Sequence, residues 1–242
     1  MKQNTKKHIL NITFVGLFAA LSYISLMLFF FPFAQMYIHF GNMIVVVASL
    51  LVGGIQGGLA GSIGMGMFDL FNGHADSAPK TFILKFLIGI TVGFIYRFLK
   101  KRKKYPSLAL FISGIVSLLI SLALYLYSYL GQNKFSGKIS VLAPILIIVG
   151  ILCITFAALK TKLSQKTASA VVGASVGMLV NLLGEISWKT VQFWIAGSSF
   201  KAAFSASLLT QGSTLINAGI SVIGGVALYI ALNKPFSKLL NQ

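Results

Sequence analysis

The chain has 242 residues, 57% of them hydrophobic and 10% charged, with a mean hydropathy of +0.89 and a formal net charge of +17. A soluble domain carries charge on about a quarter of its residues, so this composition excludes a soluble globular protein and points to an all-α integral membrane protein. The lysines and arginines cluster at the ends of apolar runs rather than along one face, which makes them topology signals and excludes a nucleic-acid surface.

A membrane helix needs about 20 apolar residues, and the first such run covers 9–31. It has a basic start, but about 22 apolar residues exceed the 7–15 of a signal-peptide core and no small-x-small cleavage site is evident, so it is expected to remain as a helix. Within it, Gly16 and Ala20 form a small-xxx-small pair that would let another helix approach. The loop "FAQMYIHFGN" then carries Tyr37, His39 and Asn42. The stretch from Asn42 to Phe71 is too long for one span and is broken by Gly53, Gly54, Gly57 and Gly58. It reads as two short helices joined by a tight glycine turn.

Only three acidic residues occur, and two of them, Asp69 and Asp76, fall in "FDLFNGHADSAPKTFILKFLIG". The third helix is expected to end at 69–71 and Pro79 to start the fourth, because the first helical turn has no use for that amide hydrogen. Lys85 then lies about 7 Å below the helix start and Asp69 about one turn from the preceding helix end. The two either pair with each other or line a ligand site, since charges below a membrane surface usually face a protein interior or an aqueous cavity.

The fourth span covers 80–99, and two further runs at 107–130 and 139–159 read as a transmembrane hairpin inserted at 106–160. It is apolar and aromatic, has no acidic residue and holds the single cysteine, Cys153, so its role is packing. In the run at 168–195, Asn181, Glu185, Trp188 and Gln192 are spaced by four, three and four residues and share one helical face. Glu185 and Lys189 are four apart and could simply neutralise each other, but amides and an indole beside a carboxylate also make the mixture that holds a flat polar ligand. The last run, 206–232, adds Gln211, Ser213, Thr214 and Asn217, for ligand contact or for bonds between helices. Counting lysine and arginine around about eight helices puts both termini in the cytoplasm of a multi-pass cell-membrane protein, in contact with membrane lipid.

Several chemistries lack their residues. "GQNKFSGKI" has neither the spacing nor the Ser/Thr of a phosphate loop, there is no nucleophile elbow or zinc-protease helix, and His8, His39 and His74 lack metal-ligand partners. The chain is therefore read as no enzyme, with no metal and no cofactor. Any uphill transport would draw on a gradient or on a partner.

The segments "HFGNMIVVVASLLVGGIQGGLAGSIGMGMFDLFNG", "APKTFILKFLIGITVGFIYRFLKK" and "SLLTQGSTLINAGISVIGGVALYIAL" resemble the substrate-binding (S) component of energy-coupling factor (ECF) vitamin transporters over 9–100 and 168–232. The resemblance implies a six-helix core that binds its vitamin at the outer face. It also implies a transmembrane coupling protein (EcfT-type) and two cytoplasmic ATPases (EcfA-type) as partners. That family's coupling contact is a pair of small residues on the first helix, here matched by Gly16 and Ala20. The hairpin at 106–160 departs from the six-helix pattern, within a single membrane domain of residues 1–242.

The expected substrate site comprises His39, Asn42, Asp69, Lys85, Asn181, Glu185, Trp188, Gln192 and Gln211. Its mixture of charges favours a small heteroaromatic ring, a vitamin B6 form or hydroxymethylpyrimidine, then riboflavin, with pantothenate ranked lower for its carboxylate. The alternatives are a self-contained secondary transporter driven by protonation of Glu185 or Asp69, or a scaffold with no ligand.

Overall fold

A computed structural model of the chain describes residues 2–33, 36–101 and 164–240, together with isolated helical positions between 111 and 157. The inserted hairpin expected at 106–160 therefore lies almost wholly outside the described residues. The elements are α1 (Lys2–Leu28), β1 (Phe31–Phe33), β2 (Met36–Ile38), α2 (Gly41–Leu51), α3 (Gly54–Phe71), α4 (Ala78–Lys100), α5 (Gln165–Ile195), α6 (Phe200–Leu209) and α7 (Gly212–Leu240). The all-α class holds apart from one short antiparallel hairpin, in which Phe31 pairs with Ile38 and Phe33 with Met36.

Among the described residues, four helices are long and apolar enough to cross a membrane: His8–Leu28, Ala78–Lys100, Gln165–Ile195 and Gly212–Ser237. The split of 42–71 occurs at Gly53, whose φ of 130° lies where side chains are rarely tolerated. The resulting α2 has 11 residues, about 16 Å or half a hydrocarbon core, so it does not span a bilayer alone. The last run also differs from a single helix at 206–232. It breaks at Thr210–Gln211, and α6 starts separately on an N-cap in which Ala202 N–H donates to Ser199 Oγ at 3.3 Å.

The chain divides into two compact units, Met1–Phe98 with Ser169–Gln242, and Leu99–Ala168. In the second, Ser117 Oγ donates to Leu146 O at 2.9 Å, so these positions lie side by side. The first unit is built on a buried apolar cluster that includes Val45, Val46, Met65, Ile88, Val92 and Met178. Small residues let its backbones meet. A Cβ built on Gly89 would lie 2.3 Å from Gly58 Cα, and one on Gly93 would lie 2.4 Å from Gly54 Cα. Ser62 Oγ donates to Phe82 O at 2.7 Å along the same seam. Close approach of this kind gains van der Waals contact that lipid-facing leucines do not provide, and it sets the register that brings the end of α3 against the start of α4.

Candidate functional site

That register creates a cavity of about 170 Å³ within the first unit, at the level where α3 ends and α4 begins. Leu26 and Phe30 from α1 and the turn after it, Tyr37 and His39 from the hairpin, and Asn42 from the first turn of α2 form one side. Met65 and Asp69 from α3, His74 and Ser77 from the following turn, and Lys80, Thr81 and Lys85 from α4 form another. Asn181 and Glu185 from α5 and Thr214 and Asn217 from α7 complete the lining.

The charged groups balance, with Asp69 and Glu185 against Lys80 and Lys85. Lys80 Nζ forms a salt bridge with Glu185 Oε2 at 2.9 Å, Lys85 Nζ donates to Asn181 Oδ1 at 3.1 Å, and Thr81 Oγ1 donates to Asp69 Oδ2. Lys85, Asn181 and Glu185 are buried, where charge is retained only with such partners. Asp69 and Lys85 thus both line the cavity and each has its hydrogen bond elsewhere, so of the two alternatives, pairing with each other or lining a site, the geometry favours the second. Glu185 forms its salt bridge with Lys80 on α4, and Lys189, one turn along its own helix, adds electrostatic attraction.

An aromatic wall faces these charges. The rings of Phe30 and Tyr37 stack with centroids 4.0 Å apart and planes 19° apart, and His74 lies 5.9 and 5.7 Å from them. Asn217 ties the hairpin to α7: its Oδ1 accepts from His39 N–H at 3.0 Å and its Nδ2 donates to Tyr37 O at 2.8 Å. The His39 ring stays neutral, its pKa falling from 6.5 to about 3 because burial disfavours the charged form and Lys85 and Lys80 add repulsion. Two buried polar atoms of the lining, His39 Nδ1 and Asn42 Oδ1, have no hydrogen-bond partner among the described residues.

Of the nine residues expected from the sequence, the cavity gathers His39, Asn42, Asp69, Lys85, Asn181 and Glu185. Trp188, Gln192 and Gln211 are not in its lining. The Asn181-to-Gln192 stripe runs for about 16 Å along α5, longer than the cavity, so only its first two members reach it. Gln192 is exposed, Trp188 is half-buried with an unpartnered Nε1 among the described residues, and Gln211 Nε2 donates to Ser207 O at 2.9 Å. Sequence reasoning missed Lys80, Thr81, Phe30 and His74. For Lys80 the available signal was its place in the first turn beside Pro79, five residues before Lys85. On α1, Gly16 and Ala20 are exposed, and a Cβ on Gly16 would meet nothing within 4 Å.

A family model described as "ECF-type riboflavin transporter, S component" matches residues 6–142, which carries the likeness into the stretch expected as an insertion. No curated protein and no solved structure matches the chain.

Proposed function

The chain belongs to the family of ECF-type riboflavin transporter S components, and from that premise we propose that it captures an unphosphorylated heteroaromatic vitamin in the cavity under the β1–β2 hairpin. This family consists of substrate-binding parts of vitamin transporters, not of enzymes. The vitamin enters from the outer face, with both termini cytoplasmic, and is delivered through a transmembrane coupling protein powered by two ATPases. Gly16 and Ala20 are the contact for that coupling protein, supported by their exposure on α1.

The observation that carries the reading is one partly buried lining in which two carboxylates and two ammonium groups balance beneath an aromatic wall. A ligand carboxylate or phosphate entering it would add negative charge to a set in which Asp69 and Glu185 already balance Lys80 and Lys85, whereas a neutral ring with hydroxyl and amine groups hydrogen-bonds to the set as it stands. The volume, about 170 Å³, lies below the roughly 300–1,000 Å³ typical for drug-sized ligands, which favours one ring. Vitamin B6 forms and hydroxymethylpyrimidine therefore rank first. Riboflavin is the second reading, favoured by the description of the matched family.

The test is calorimetric titration of ligand-stripped protein with pyridoxamine, pyridoxal, hydroxymethylpyrimidine, riboflavin and pantothenate. Tight binding of a single-ring vitamin is expected. Binding of riboflavin alone would select the second reading, and binding of pantothenate alone would refute a heteroaromatic ligand.

A further inference from the structure

Three asparagines line the cavity, and two have their side-chain oxygens occupied: Asn181 Oδ1 accepts from Lys85 and Asn217 Oδ1 from the His39 amide. Asn42 differs. It is 1% exposed, sits in the first turn of α2 and lines the cavity, yet its Oδ1 has no partner among the described residues. An acceptor left unpaired in a buried site loses its hydration without recompense, so native structures rarely keep one unless something outside the chain satisfies it. On the same side, His39 Nδ1 is a second buried atom without a partner among the described residues. The neutral charge balance leaves no uncompensated cation for an anionic group at this end. What Asn42 Oδ1 lacks is a hydrogen-bond donor.

We infer that Asn42 is the specificity-determining acceptor of the site, and that the ligand is a nitrogen heterocycle which turns an N–H edge, from an exocyclic amine or a ring imide, to Asn42 Oδ1. His39 Nδ1 lies beside that edge as its second polar neighbour. This rests on the cavity being the ligand site, as proposed above. A site built to receive a donor rejects an analogue lacking it far more strongly than an apolar site rejects a missing methylene, because the acceptor is then left buried and unpaired.

The experiment uses the full chain, stripped of ligand, and two pairs of probes: 4-amino-5-hydroxymethyl-2-methylpyrimidine with the same pyrimidine lacking its amino group, and riboflavin with 3-methylriboflavin. On the unmodified protein, the parent that binds should bind at least about tenfold more tightly than its donor-less analogue. Asn42→Ala should weaken the parent by a similar factor and bring the ratio within about twofold, while the ligand-free melting temperature stays level or rises because an unsatisfied acceptor has gone. A ratio near one on the unmodified protein, or a ratio that survives in Asn42→Ala, overturns the inference alone. Such results would mean that water satisfies Asn42. Failure of both parents to bind while pyridoxal binds overturns the inference and leaves the ring-ligand reading standing, failure of all three overturns both, and the first comparison needs no variant to fold.

Discussion

Lys80 and Glu185 show how much a cavity of this kind depends on single partners. Their side chains are 12% and 8% exposed and meet at 2.9 Å. Lys80→Met leaves a buried carboxylate without its counter-ion and should cost about 3–5 kcal/mol, whereas removing both charges in Lys80→Met/Glu185→Leu should recover much of it. Thermal melting of the two proteins checks this, and a loss under about 1 kcal/mol in the single variant would mean that the pair behaves as a solvated one. His39 gives a pH signature. The unfolded chain takes up its proton near pH 6.5 and the folded chain only near pH 3. Between those values the unfolded state binds more protons, so stability falls as pH drops through that window and this contribution is absent above it. Melting from pH 7.5 to 4 should show a shallower decline in His39→Gln, and identical slopes would place the ring in water. The residues that sequence alone could find were scarce polar groups inside apolar runs, such as Asp69, Asn181 and Glu185, which must face something polar. Lys80 escaped because a lysine beside a proline at a helix start reads as a surface charge, and Trp188 was over-read because a helical stripe gives direction but not the length of the space it faces.

At the scale of elements, the seam between α3 and α4 decides whether Asp69 meets Thr81 at all. A Cβ at Gly89 would strike Gly58 backbone atoms at 2.3 Å, and no rotamer relieves a clash with backbone. Gly89→Ala should therefore push the helices apart, costing about 1–3 kcal/mol and weakening ligand binding with it. Gly16→Ala, where the added atom meets nothing within 4 Å, should change stability by less than about 0.5 kcal/mol. Comparable melting of the two variants would refute the seam. The reversal at Gly53 was legible because four glycines in six residues interrupt a run too long for one helix. The break at Thr210–Gln211 was not, since threonine, glutamine and glycine in an apolar stretch are as compatible with one helix as with two.

Across the whole molecule, the proposed assembly separates binding from delivery. Gly16→Leu and Ala20→Leu should abolish uptake in cells while the purified protein keeps its ligand affinity, because the added bulk sits where a partner helix would approach. Loss of both activities together would place these residues in the protein's own packing. Orientation is checked in a Cys153→Ala background. Ser77→Cys and Ser199→Cys should react with an impermeant reagent from outside and Ser164→Cys should not, and labelling of the last in intact cells would reverse the topology. The bridge from Asn217 has a consequence for how such a protein diversifies. It grips only main-chain atoms of the hairpin, the His39 N–H and the Tyr37 carbonyl, so the side chains at 37 and 39 can be exchanged without undoing the attachment. If the cavity is the ligand site, the hairpin would be an interchangeable cassette, whose side chains could change what is recognised there while the helix holding it stays as it is.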